Sequence, residues 1–143
     1  MCTATCRLYK EYFVMKTIFT NGCFDILHPA HIQLLKYCKN LGHVVVGLNS
    51  DKSVKKIKGE DRPFFSENDR KFMLKSCRYV DEVHIFEEET PYNLIKSLNP
   101  DIIVKGGDYK PEDVVGFNLA EVKIFEYIDG YSTSKIIQNS GNR

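Results

Sequence analysis

The chain has 143 residues, 43% hydrophobic and 27% charged, with 20 Lys and Arg against 19 Asp and Glu for a formal charge of +1. That composition fits one soluble globular domain, long enough to bury about 68–70% of its unfolded surface, and the even charge argues against nucleic acid or an anionic membrane as partner. No apolar run approaches the ~18 residues of a bilayer span and the first residues lack the apolar stretch of a leader, so the expected compartment is the cytoplasm.

In chain order, residues 1–14 read as an N-terminal extension without an assigned role, and residues 15–143 as one domain. The pattern predicts a strand over 17–20, broken by Asn21-Gly22, then an amphipathic helix over 30–41 and a strand over 43–48. A strongly basic segment, 52–58, precedes a helix over 66–77, whose start at Ser66-Glu67-Asn68-Asp69 has the spacing of a capping box. A strand over 82–86 follows, then a helix over 91–98 with Thr90 as N-cap and Pro91 at the first helical position. Strands over 102–104 and 122–125 and a last helix from Thr133 complete the series. Alternation of strand and helix implies an α/β fold: a parallel sheet covered by helices, with ligand beyond the carboxyl ends of the strands. Five cysteines, Cys2, Cys6, Cys23, Cys38 and Cys77, form an odd set without C-x-x-C spacing and read as free thiols.

The segment richest in chemistry is Thr20-Asn21-Gly22-Cys23-Phe24-Asp25-Ile26-Leu27-His28-Pro29-Ala30-His31. It places a turn and two histidines between an apolar strand and the mouth of a helix. Histidines three residues apart share one helix face with Cβ atoms roughly 5–6 Å apart, close enough to hold two oxygens of one polyphosphate. The amides and dipole of the helix start add to that anion attraction. A partly buried histidine pair or an incidental metal site is the bland alternative.

Five motifs in one order extend this pattern: the histidine segment, Asn49-Ser50-Asp51, Lys58-Gly59-Glu60-Asp61-Arg62-Pro63 with Asn68-Asp69-Arg70, Val104-Lys105-Gly106-Gly107-Asp108-Tyr109, and Asp129-Gly130-Tyr131-Ser132-Thr133. Together they resemble the nucleotidyltransferase superfamily built around H-x-G-H. Within it they are similar to the adenylyltransferases that act on heptose 1-phosphate in bacterial lipopolysaccharide precursor synthesis. The resemblance covers most of the chain from Met15 to Gln138. It implies a Rossmann-like doubly wound sheet in a single domain, a homodimer, ATP as substrate, and Mg²⁺ held mainly by the triphosphate rather than by a protein metal site. The partners implied are a nucleoside triphosphate and a phosphorylated small molecule. One departure stands out: Ala30 occupies the glycine position of H-x-G-H.

Carried onto this chain, the resemblance makes His28, His31, Lys58 and Arg62 catalytic. It makes Thr20, Asn21, Gly22, Cys23, Phe24, Asn49, Asp51, Arg70, Lys105, Gly107, Asp108, Tyr109, Ser132 and Thr133 nucleotide-binding. The residue chemistry agrees at several points. An attacking phosphate oxygen is already an anion, so the reaction needs cations, amides and orientation rather than a general base. Lys58 can neutralise phosphates, and the guanidinium forks of Arg62 and Arg70 can clamp them, although Arg70 also reads as an ordinary helix residue. Gly106-Gly107 allows close backbone approach or a plain tight turn, Asp108 can accept from ribose hydroxyls, and Ser132 and Thr133 can cap a helix, bind phosphate, or both. Asp25 is read as orienting the loop or the histidines. Alternatives to a sugar-phosphate adenylyltransferase are a glycerol 3-phosphate cytidylyltransferase, an FAD synthetase, and a nucleotide-binding module without catalysis.

Overall fold

The computed structural model describes residues 14–127 and 132–141. All of the extension but Val14, and Asp129, Gly130 and Tyr131 of the last motif, lie outside the described residues. The elements are β1 (Thr17–Gly22), α1 (Pro29–Leu41), β2 (His43–Asn49), α2 (Asp51–Lys58), α3 (Glu67–Lys75), β3 (Glu82–Phe86), α4 (Tyr92–Leu98), β4 (Ile102–Gly106), a 3₁₀ turn (Pro111–Asp113), β5 (Glu121–Phe125) and α5 (Thr133–Ser140).

The strands form one sheet in the order β3-β2-β1-β4-β5, every neighbouring pair parallel. Parallel neighbours need crossovers, and the helices supply them on both faces. Alternate side chains of each strand therefore enter different cores. Ile18, Val44, Val46, Leu48, Ile102 and Val104 pack with Leu34, Leu35 and Cys38 of α1 and Leu74 of α3. Phe19, Val45 and Ile103 pack with Ile95 of α4 and with Val114. This is the Rossmann-like doubly wound arrangement, and its strand order reverses between β1 and β4, where ligands of such sheets bind.

Several element limits differ from the sequence expectation. Asn21 and Gly22 do not break the strand after Thr20 but extend β1, pairing with Gly47 and Leu48, because the ladder to β2 continues until the loop turns. The basic segment after Asn49 is a helix, α2, whose N-cap Ser50 accepts from the Ser53 amide at 3.1 Å. It buries only Ser53 and Val54, so too little apolar periodicity exists to announce it. Ser66 caps α3 as expected, accepting from the Asp69 amide at 3.2 Å, but its hydroxyl donates to the Asp69 carboxylate at 3.0 Å, and the helix stops at Lys75. α4 starts one residue later than predicted, with Pro91 rather than Thr90 at the cap and no side-chain cap bond.

Candidate active site

The carboxyl ends of β1, β2 and β4 surround a cleft of about 520 Å³ lined by Asn21, Gly22, Cys23, Asn49, Lys58, Lys105, Gly106 and Tyr109. Every one of these except Gly106 is a predicted site residue. The remaining wall comes from Ile57, from Glu89, Thr90 and Pro91 ahead of α4, from Asp113, Val114 and Val115, and from Tyr127. Sequence reasoning missed this second wall, whose segments carry turn and cap residues with an equally good local explanation. Gly106 has a close-approach reason to be glycine: a Cβ there would run into the Tyr127 ring. Gly107 has a conformational one, with φ at +112°.

The loop from Cys23 to His28 joins β1 to α1. Phe24 is buried in it with φ at +44°, a left-handed conformation that non-glycine residues adopt at a cost. Its ring lies 5.2 Å from that of His31, which stacks on His28 at 3.7 Å between centroids. Burial lowers the affinity of both histidines for a proton. For His31 the nearby His28 and Lys58 charges add to burial, against an opposing bond from the Ile26 backbone, and its pKa falls to about 4. His31 is thus neutral at neutral pH. His28 borders a shallow surface with Leu27, Pro29, Ile32 and Gln33, on a different part of the loop from the cleft. Ala30 is fully buried in the first turn of α1, so its methyl group points into the protein fabric and adds to the helix.

Positive charge gathers at Cys23. Burial raises its thiol pKa, and Lys58, Arg70 and Arg62 pull the other way. Lys58 ends α2, while Lys105 enters from β4 with its ammonium 5.3 Å above the Tyr109 ring. Burial lowers the pKa of Lys105, with the Cys23 charge opposing. Thr20 is buried, and its hydroxyl oxygen has no hydrogen-bond partner among the described residues.

The two arginines differ. Arg70 is 0% exposed, and its guanidinium is engaged on every nitrogen: Nε donates to the Phe65 carbonyl at 3.0 Å, Nη1 to the Cys23 and Asn49 carbonyls at 2.8 Å, and Nη2 to Asp51 at 2.8 Å. The expected phosphate clamp at Arg70 is therefore replaced by a brace beneath the site, with Asp51 as its counter-charge. Asn49 likewise spends its side-chain amide on Ser53 Oγ at 2.9 Å. Arg62 uses only Nε, donating to Asp25 at 2.9 Å, and its buried Nη2 has no hydrogen-bond partner among the described residues. Asp25 therefore orients the segment carrying Arg62, Phe64 and Phe65. At the other side of the loop, Thr133 donates to the Ile26 carbonyl at 3.4 Å and Ser132 caps α5 by accepting from the Lys135 amide at 3.1 Å. Gly107 and Asp108 follow β4 just beyond the cleft lining.

This cationic pocket at the reversal of a parallel sheet coincides with a family match: the model described as cytidylyltransferase-like covers residues 19–139. The chain belongs to the cytidylyltransferase-like family. Nucleotidyl transfer is the reaction class of this domain. The bifunctional protein HldE of a Nitratiruptor species is 53% identical over 125 residues, 86% of this chain and 27% of that protein. HldE of Helicobacter pylori is 53% identical over 134 residues, 92% of this chain and 29% of that protein. The chain thus spans a little over a quarter of the curated relatives it matches. A crystal structure described as the lipopolysaccharide core biosynthesis protein from Thermoplasma volcanium superposes with a TM-score of 0.66 at 30% identity, covering 82% of this chain and 99% of that one. Pantothenate synthetase from Thermus thermophilus, at 13% identity and a TM-score of 0.58 over 92% of this chain and 67% of that one, shares the fold.

The resemblance implies a divalent cation that arrives with the triphosphate. The cleft offers lysines and amides, and among the described residues no group of three or more His, Cys, Asp or Glu is placed to hold a metal. When bound, Mg²⁺ would offset phosphate charge.

Proposed function

We propose that this domain transfers AMP from ATP to a sugar 1-phosphate, with heptose 1-phosphate as the acceptor, and releases pyrophosphate. The observation that carries the reading is the cationic cleft at the β1–β4 switch in strand order, lined by Cys23, Lys58 and Lys105, with the stacked histidine pair further along the loop that starts at Cys23. The ordered motifs and the likeness to HldE proteins and to a lipopolysaccharide core biosynthesis protein support the choice of acceptor.

In the reaction an oxygen of the sugar phosphate bonds to the α-phosphorus of ATP, and the bond from that phosphorus to the bridging oxygen of the β-phosphate breaks. The leaving pyrophosphate takes the electron pair. No proton is removed from the nucleophile, so the chain supplies placement and charge. Lys58, Lys105 and Arg62 offset the charge of two anions brought together. His28 and His31 donate N–H bonds to triphosphate oxygens. Gly106 makes room for the Tyr127 ring in the cleft wall.

The test incubates the protein with Mg²⁺, each of ATP, CTP, GTP and UTP, and heptose 1-phosphate, glycerol 3-phosphate or FMN, with products identified by mass spectrometry. ADP-heptose formed with ATP alone is the expected result. CDP-glycerol or FAD would overturn the substrate assignment, and silence across the panel would overturn the activity.

A further inference from the structure

The Asp25 carboxylate is 1% exposed on the loop that also carries the histidine pair, yet it lies outside the cleft lining. A buried negative charge beside a site for two anions opposes binding unless it is neutralised and put to another use. Three groups neutralise it. Arg62 Nε donates to Oδ2 at 2.9 Å, the Phe64 amide to Oδ2 at 2.8 Å, and the Phe65 amide to Oδ1 at 3.0 Å. All three donors belong to the segment between α2 and α3, directly after Lys58. Arg62 is 14% exposed on its side chain, and gripping the guanidinium at Nε fixes its plane without engaging Nη2. Nη2 is buried without a hydrogen-bond partner among the described residues, whereas every guanidinium nitrogen of Arg70 is engaged.

We infer that Asp25 is a positioning residue for nucleotidyl transfer: it holds Arg62 so that the outer guanidinium nitrogens meet the triphosphate, and it docks the 62–65 segment onto the phosphate loop. Holding a planar donor pair in advance removes the reorganisation that a free arginine would need as charge moves onto the leaving group. The inference rests on the proposed reaction for its catalytic consequence, but its core is a binding statement about polyphosphate.

The test is a double-variant cycle on the full chain, read first as affinity for inorganic tripolyphosphate by calorimetry and then as kcat with ATP and acceptor. Asp25→Asn and Arg62→Ala are each expected to weaken tripolyphosphate binding roughly tenfold, and the Asp25→Asn/Arg62→Ala protein is expected to be no weaker than Arg62→Ala alone. Multiplied losses in the double variant would show that Asp25 acts apart from Arg62 and would overturn the inference. If Asp25→Asn does not fold, Arg62→Lys decides. It keeps the charge beside Asp25 but lacks the planar second donor edge, so it should bind tripolyphosphate more weakly than wild type, and wild-type affinity would overturn the inference. Because tripolyphosphate binding needs no acceptor, failure of the sugar assignment leaves this result intact, while intact coupling without turnover would indict the reaction alone.

Discussion

His31 shows how a single position binds stability to pH. Its pKa is about 4 in the folded chain against an ordinary value of 6.5, so between those values the unfolded chain takes up a proton that the folded chain refuses. Stability is unaffected above pH 6.5 and falls as pH drops through that window. The melting temperature of wild type should therefore fall more steeply between about pH 7 and pH 5 than that of His31→Asn, and parallel slopes would remove His31 from this account. Ala30 tests the departure from the family pattern. With its methyl group buried in the first turn of α1, Ala30→Gly should destabilise by about 1 kcal/mol and leave kcat within roughly twofold. A large gain in kcat would show that the methyl group obstructs phosphate. Both residues are visible in the sequence, but only burial decides the direction of their effects.

At the scale of elements, the site depends on short helices whose starts are fixed by serines. Ser50 caps α2, the helix that ends at Lys58, and is itself buried. Removing that cap in Ser50→Ala should cost about 1 kcal/mol in denaturant unfolding, and because α2 carries Lys58 the Michaelis constant for the nucleoside triphosphate should rise. An unchanged constant would mean that Lys58 keeps its place without the cap. Ser66 and Ser132 perform the same local task for α3 and α5. The Ser66 start was recognisable from four residues, since a cap is a local interaction. α2 was not, because a helix that buries two residues owes its position to Asn49, Glu67 and the sheet end rather than to its own pattern.

For the molecule as a whole, two cores on opposite faces of one sheet hold the strand ends in register. Leu35 is fully buried where α1 meets the first core, directly behind the histidine loop. Leu35→Ala should cost about 2–5 kcal/mol by leaving a cavity, measurable as a lower denaturant midpoint. A loss below about 1 kcal/mol would mean that the core closes over the gap. The cleft is a product of this scale. Gly106 of β4 meets Tyr127 from beyond β5, and Cys23 of the first loop receives charge from Lys58, Arg62 and Arg70 of three later segments.

The sequence by itself determined the alternation of strands and helices and the family, and it singled out the histidine pair, Lys58 and Lys105 as site candidates. The alternation rests on periodicity and caps, which act over a few residues, and the family and site candidates on the resemblance carried by the ordered motifs. Only the tertiary structure decided the two arginines. In the sequence both are guanidinium groups near an acidic residue, but Arg70 is drawn under the loop and spent on four oxygens, whereas Arg62 is held by Asp25 at one nitrogen. The wall from Glu89 to Pro91 and Tyr127 was hidden for the same reason. Which donors remain open after folding depends on partners tens of residues away, and no local pattern carries that information.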